Sequence, residues 1–322
     1  MRLSRFQTGR EIHLGMLWGE KIIDLTRGFQ LLRDQPRWPE KSPPILDMES
    51  LLAHGSAAIR MVGRVEDFVQ RQMEGERRVP PVLRGVVIDL NKVRLLPPIS
   101  NPPKILCLAR NYVSHAREVA GDAPLPKTLL VFMKPTTAII GPGESVVVPP
   151  DCRLLDHEVE LAVVIGKKGR YIPVQKAMDH VAGYTILNDI SDRAYIVQQE
   201  TQRVNWFFMK AQDTFAPLGP YLALKDEIKD PHLLRLRLWV NGELRQDSSG
   251  EDMIFKIPEI IAQISRFVTF EPGDIIATGT PTGTSFSTKK YLRDGDIVEC
   301  EIEGIGRLKN FIKVEEPIYR KG

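Results

Sequence analysis

The run Asp151-Cys-Arg-Leu-Leu-Asp-His-Glu-Val-Glu-Leu-Ala-Val-Val-Ile-Gly166, followed by Gly183-Tyr-Thr-Ile-Leu-Asn-Asp-Ile-Ser-Asp-Arg193, decides how the chain is read. From His157 to Ile165 the residues are β-branched or apolar apart from one histidine and two glutamates, which is a strand composition. Side chains alternate faces along a strand, so Glu158 and Glu160 share one face while His157, Val159 and Leu161 share the other. The two glutamates then stand roughly 6.5–7 Å apart at the backbone, close enough for their carboxylates to converge on one small ion. Each alone is a costly charge on a mostly apolar strand. A second short run, Tyr184 to Leu187, reads as another strand and ends at Asn188-Asp189, which adds a third carboxylate. Three carboxylates with no nearby cysteine or histidine pair form an all-oxygen set suited to a hard cation, Mg²⁺ or Mn²⁺ rather than Zn²⁺. A solvated strand face followed by an Asn-Asp turn is the alternative reading of the same residues.

Composition bounds the rest. A chain of 322 residues can bury one large core or two smaller ones, and length favours two domains. Hydrophobic residues make up 43% and charged residues 26%, ordinary values for a soluble globular protein. The formal net charge is +3 with both signs interspersed, so neither nucleic acid nor a membrane is indicated as a partner. Cys107, Cys152 and Cys300 show no CxxC spacing, which fits a reducing cytoplasmic location and not a disulfide framework. The first twenty residues carry charges throughout, unlike a signal peptide, and no stretch approaches a membrane span.

Residues 1–27 alternate short apolar runs with turn residues and predict small antiparallel strands. Residues 36–44 are proline-rich and predict a loop. Residues 48–73 carry apolar positions at helical spacing and predict two short helices broken near Gly63. Pro97, Pro98, Pro102 and Pro103 fall within seven residues and exclude both helix and central strand, so the boundary between an N-terminal domain (1–98) and a second domain (103–322) is placed there. Lys104 to Leu108 reads as a strand and the segment Asn111 to Ala120 as a short helix. On it His115 and Glu118 are spaced i, i+3, within hydrogen-bonding reach. A carboxylate beside an imidazole raises its basicity and fixes its tautomer, as a water-activating base requires; an exposed helical pair is the alternative.

Arg193 follows Asp189 by four residues, where positive charge steers an anionic substrate or balances the carboxylates; a plain surface arginine is the other reading. Pro217-Leu218-Gly219-Pro220 reads as a turn, and Val240-Asn241-Gly242-Glu243 as the turn of a hairpin. Residues 257–267 predict an amphipathic helix with Ile260, Ile261, Ile264 and Phe267 toward the core. Thr278-Gly279-Thr280-Pro281-Thr282-Gly283-Thr284 is a loop able to present backbone N–H groups and hydroxyls to a carboxylate, though a plain turn fits its composition too. It lacks the Gly-Lys-Ser/Thr ending of a phosphate loop.

The ordered set Leu155-Asp156-His157-Glu158-Val159-Glu160-Leu161, Gly183-Tyr184 with Asn188-Asp189-Ile190-Ser191, residues 210–215 (Lys-Ala-Gln-Asp-Thr-Phe), Pro217-Leu218-Gly219-Pro220, Val240-Asn241-Gly242-Glu243 and Thr278-Gly279-Thr280-Pro281 resembles the fumarylacetoacetate hydrolase family over about residues 101–315. The resemblance implies an α+β fold, mainly β: a mixed β-roll behind a small N-terminal α+β domain. It implies that Glu158, Glu160 and Asp189 hold Mg²⁺ (Mn²⁺ as the substitute) and that Arg110-Asn-Tyr-Val-Ser-His115-Ala-Arg-Glu118 is a mobile lid carrying a His-Glu dyad, with Arg110 matching acylpyruvase members. Lys210 would point into the site as a fixed cation, and Thr280, with Gly279 beside it, would bind a substrate carboxylate. Where the family often continues Arg-Asp-x-Gln, this chain has Arg193-Ala194-Tyr195-Ile196, so the glutamine contact is missing or supplied by Gln198 or Gln199. The activity implied is cleavage of a C–C bond in a small 2-oxo acid of the acylpyruvate kind, with His115 activating water and an enolate forming beside the ion. Decarboxylation and isomerisation share that enolate and stand as alternatives, a non-catalytic metal-binding protein as a remote one. A homodimer follows by the same resemblance.

Overall fold

The computed structural model describes residues 1–33, 45, 47–76, 78–196 and 204–316. The loop predicted over residues 36–44 and the two glutamines Gln198 and Gln199 lie outside the described residues.

The chain opens with an antiparallel meander, β1 (Arg2–Thr8), β2 (Glu11–Trp18) and β3 (Lys21–Asp24), as the alternation of apolar runs and turn residues predicts. Helix α1 (Leu25–Arg33), which the residue pattern did not suggest, packs with α2 (Met48–Met73). Two short strands, β4 (Val87–Asp89) and β5 (Arg94–Leu96), lead to the prolines. Beyond them come β6 (Ile105–Ala109), α3 (Val113–Ala120), β7 (Leu130–Lys134), β8 (Ile139–Ile140) and β9 (Ser145–Val148). The acidic segment forms β10 (Leu155–Asp156), β11 (Val159–Ile165), β12 (Val181–Asn188) and β13 (Ser191–Asp192). Then follow α4 (Trp206–Lys210), β14 (Ala216–Leu224) and the hairpin β15 (Arg235–Val240) and β16 (Glu243–Ser249). Asn241 and Gly242 both take positive φ between the hairpin strands, as an Asn-Gly turn requires. The chain ends with α5 (Ile257–Ile264), β17 (Ile275–Ala277), α6 (Ser285–Thr288), β18 (Ile297–Ile302) and β19 (Gly306–Val314).

This is an α+β, mainly β architecture. The larger sheet has twelve strands, ordered β4-β3-β2-β1-β14-β12-β11-β17-β6-β7, with β5 on β1 and β8 on β14. A second sheet runs β16-β15-β18-β19-β9. The larger sheet continues across the proline-rich segment, because β1 pairs with β14 at Leu3 and Leu222. Strand β11 is buried along its whole length and feeds two cores. Val159, Leu161, Val163 and Ile165 join the core shared with Leu236, Leu238 and Val298 of the smaller sheet. Ala162 and Val164, on the opposite face, join the core under α2 with Val62 and Val65. No described helix is long and apolar enough to cross a membrane.

Three expectations are corrected. Helix α2 bends at Gly55 (φ 51°, ψ −129°), not at Gly63, which keeps helical geometry. The Pro217 to Pro220 stretch is not a turn but part of β14. Pro220 is tolerated because it falls where the β12–β14 register shifts, between Tyr184 and Ile186, so no ladder donor is needed there. Helix α5 stops at Ile264, which leaves Phe267 80% exposed instead of in the core.

These positions make a paired prediction for thermal or denaturant unfolding. A Cβ on Gly63 would meet only Met1 Cε at 3.7 Å, so Gly63→Ala raises stability by about 0.5–1 kcal/mol. A Cβ on Gly183 would sit 2.1 Å from the Ala223 carbonyl oxygen, so Gly183→Ala lowers it by about 1–3 kcal/mol. Equal midpoints for both variants would contradict the packing described.

Candidate active site

The site is assembled where β11 begins and β12 ends. Val159 lies opposite Asn188, so the residues just before one strand meet those just after the other. Asn188 Oδ1 accepts the Glu158 N–H at 3.0 Å, and the Asp189 N–H donates to the Glu158 carbonyl at 2.8 Å. The strand itself starts at Val159, two residues later than composition suggested, so Glu158 is aimed by this crossing and not by strict alternation. One carboxylate oxygen from each of Glu158, Glu160 and Asp189 lies within 4.8 Å of the other two, and all three residues are buried.

Burying these acids requires compensation. Lys210 Nζ donates to Glu158 Oε2 at 2.6 Å and to Asp189 Oδ2. Lys134 Nζ donates to Asp189 Oδ1 at 2.6 Å and to the Ile190 carbonyl at 3.0 Å. Arg193 Nε donates to Asp156 Oδ2 at 2.8 Å, and its Nη2 donates to Glu158 Oε1. Asp156 also accepts the N–H groups of Ser285 and Phe286 at the start of α6. Burial opposes the charge on Glu158, but Lys210 and Arg193 outweigh it and hold its carboxyl below the usual range. Glu160 goes the other way: burial first, then the neighbouring Asp189 and Glu158, push it well above the usual range. The Gly279 N–H donates to its Oε2 at 2.8 Å, while its Oε1 is buried with no hydrogen-bond partner. An orphaned buried carboxylate oxygen beside two more carboxylates fits a hard divalent cation.

Local structure explains how each cation arrives. Asn205 Oδ1 caps α4 by accepting the Phe208 N–H at 3.1 Å, and Trp206 stacks on Phe132 of β7 with centroids 5.0 Å apart. That anchors the five-residue helix whose last residue is Lys210. Burial disfavours its charge, but Asp189 and Glu158 dominate and raise it above an ordinary lysine. Burial lowers Lys134 despite the same Asp189.

Across the cavity, His115 Nδ1 lies 3.1 Å from Glu118 Oε2 on α3, which leaves Nε2 as the nitrogen available to a ligand. Glu118 Oε1 accepts the Thr282 hydroxyl at 2.7 Å and the Gly283 N–H at 3.0 Å. These donors and His115 override burial and hold Glu118 below the usual carboxyl range. The backbone donors of Gly279 and Gly283 are therefore committed to the site's own carboxylates, where the composition of this loop had suggested donors facing a substrate. Thr280 Oγ1 donates to the Val159 carbonyl at 3.0 Å and accepts from Gln246 Nε2 at 2.9 Å. Arg110, just before α3, takes φ 56°. Arg110, His115, Glu158, Arg193, Lys210 and Thr280 all line one pocket of about 70 Å³, closed on its apolar side by Phe132, Trp206, Met209 and Phe286.

Sequence reasoning missed Lys134, Asp156 and Gln246. Lys134-Pro135 reads as the start of a turn, and Leu130, Val131 and Met133 before it are exposed, so nothing local signals that the lysine is drawn inward. Asp156 stands directly before the recognised acids, and Gln246 alternates inward on β16, the one fully buried position of that strand.

The family model described as fumarylacetoacetate (FAA) hydrolase C-terminal matches residues 104–313. A mitochondrial oxaloacetate tautomerase of Bos taurus is 43% identical over 298 residues, 88% of this chain and 93% of its own length. A maleylpyruvate hydrolase from Sphingobium sp. SYK-6, solved in complex with manganese (II) ion and pyruvate, is 32% identical with a TM-score of 0.70, covering 98% of this chain and all of its own. A 5-carboxymethyl-2-hydroxymuconate delta-isomerase from Mycobacterium smegmatis is 28% identical with a TM-score of 0.69 over the same shares. With a family model matched over well over half its length and a relative this similar along nearly the whole chain, the protein belongs to the fumarylacetoacetate hydrolase family.

Proposed function

We propose that the chain interconverts the enol and keto forms of a small 2-oxo acid bearing a second carboxylate, of the oxaloacetate type, with Glu158, Glu160 and Asp189 holding Mg²⁺ or Mn²⁺. The observation that carries this reading is the His115–Glu118 pair, 3.1 Å apart and lining the same pocket as Glu158 of the carboxylate triad. A bound divalent ion supplies Lewis acidity that makes the carbon next to a 2-oxo group easier to deprotonate. His115 Nε2 is the group placed to take that proton and return it, with Glu118 fixing the tautomer through Nδ1. Lys210 sets a positive charge beside the oxygen that becomes negative, and Arg110 at the pocket wall offers a partner for the far carboxylate. The bovine relative's name supports the oxaloacetate reading.

The second reading is hydrolysis of the C3–C4 bond of an acylpyruvate, giving pyruvate and a carboxylic acid. It is favoured by the same dyad, since an imidazole fixed by a carboxylate is equally suited to taking a proton from water. For location we propose a reducing compartment, cytoplasmic as read from the three free cysteines, while the bovine relative is named mitochondrial. We also propose a homodimer, supported by an apolar strip on edge strand β7 (Leu130, Val131 and Met133) beside the exposed Phe207 and Phe208. The division at the prolines is retained as a proposal for domain organisation, with β1–β14 pairing joining the two parts.

Two outcomes are expected. With Mg²⁺ the purified protein accelerates the ultraviolet decay of enol-oxaloacetate, and His115→Ala lowers kcat/KM by about a hundredfold or more; pyruvate released from acetylpyruvate at a comparable rate would favour the hydrolytic reading instead. Burial, then Asp189 and Glu158, push the Glu160 carboxyl up, so ion uptake is expected to release a proton and apparent Mg²⁺ affinity to weaken as pH falls. Calorimetry in buffers of different ionisation enthalpy checks this, and a heat independent of buffer would contradict it.

A further inference from the structure

Helix α3, which carries His115, is eight residues long, and isolated helices shorter than about 12–15 residues are marginal in water. Its own N-cap residue, Tyr112, makes no side-chain capping bond. An aspartate from another part of the fold supplies one. Asp252, in the turn after β16, accepts both the Ser114 N–H at 3.1 Å and the Ser114 hydroxyl at 2.5 Å on the same Oδ2. The negative charge sits where the helix leaves its first N–H groups unpaired.

The bonds continue from there to the imidazole. Ser114 Oγ accepts the Thr282 N–H at 3.3 Å, the Thr282 hydroxyl donates to Glu118 Oε1 at 2.7 Å, and Glu118 Oε2 meets His115 Nδ1 at 3.1 Å. The segment following Asp252 also pins the start of the lid. The Ile254 N–H donates to the Asn111 carbonyl at 2.7 Å and the Phe255 N–H to Asn111 Oδ1 at 2.9 Å. Asn111 Nδ2 reaches the Thr278 carbonyl at 2.8 Å. Asp252 itself does not line the pocket.

We propose that Asp252 is a positioning residue for His115: it caps the lid helix in trans and, through Ser114 and Thr282, fixes the Glu118–His115 pair against the Thr278–Thr284 loop. The orientation of the imidazole is thus set from outside the pocket, by a residue following the smaller sheet's hairpin. A ligand that shifts the Thr280 loop shifts His115 with it. The proposal rests on His115 as the proton-transfer group of the function proposed above.

The test uses Asp252→Ala, Asp252→Asn and Ser114→Ala in the full chain. It reads enol-oxaloacetate kinetics with Mg²⁺, amide hydrogen exchange over residues 113–120, and Mn²⁺ affinity by electron paramagnetic resonance. In Asp252→Ala, kcat is expected to fall about tenfold and the lid amides to exchange about tenfold faster, with KM and Mn²⁺ affinity unchanged within about twofold. Asp252→Asn restores both, because its amide oxygen accepts the same two bonds. Where Asp252→Ala fails to fold, Ser114→Ala carries the test, since it removes only the hydroxyl links. Unchanged exchange at 113–120, or an Asn variant as impaired as the Ala variant, overturns the proposal. Faster exchange with full kcat overturns the positioning role and leaves Asp252 only as the helix's cap, whereas full kcat in His115→Ala overturns the function on which the proposal rests.

Discussion

The structure depends on how a concentrated set of buried charges is neutralised. Asp156, Glu158, Glu160 and Asp189 are buried against three buried cations, Lys134, Lys210 and Arg193. Among the described residues Glu160 makes no ion pair, and its one bonded oxygen takes a backbone N–H. Leaving ionised groups in a low-dielectric interior without partners costs several kcal/mol each (~3–5 when a pair is broken). Among the described residues the arrangement is therefore closed except at one carboxylate, which is where the proposed cation would complete it.

The two-sheet architecture makes this concentration possible. Strand β11 contributes to both cores, so its start is held from each side and cannot shift register without exposing one of them. The smaller sheet then reaches back over the site. Gln246 from β16 donates to Thr280 Oγ1 and to the Pro281 carbonyl at 2.9 Å each, and accepts the Val159 N–H at 3.0 Å. One amide thus ties the loop at residues 278–284 to the strand that carries the acids. Strand, loop and helix α3 are fixed to one another by side-chain bonds, which supplies the rigidity that the proposed proton transfer would need.

Much of this was legible in the residues. The acidic strand, the Asn188-Asp189 stop, the His115–Glu118 spacing and the Asn241-Gly242 hairpin are local patterns, and local patterns survive folding because periodicity and turn chemistry act over a few residues. The failures have physical causes. Pro220 looks like a turn residue, yet a register shift in the neighbouring ladder makes room for it in β14. Gly55 and Gly63 both lie within the helical stretch, and it is Gly55 that takes the non-helical backbone. Lys134, Asp156, Gln246 and Asp252 act through partners from 34 to 138 residues away, a distance at which no spacing rule operates. Arg193 was read as steering or balancing charge, and its bonds to Asp156 and Glu158 commit it to balance.

The central claim is that Glu158, Glu160 and Asp189 together hold one hard divalent ion. An anomalous-difference map from crystals grown with Mn²⁺ tests it most directly. The account predicts a single strong peak coordinated by oxygens of all three carboxylates, with Glu160 Oε1 among the ligands. A peak elsewhere, or none while Glu160 Oε1 bonds to a protein donor, would contradict it.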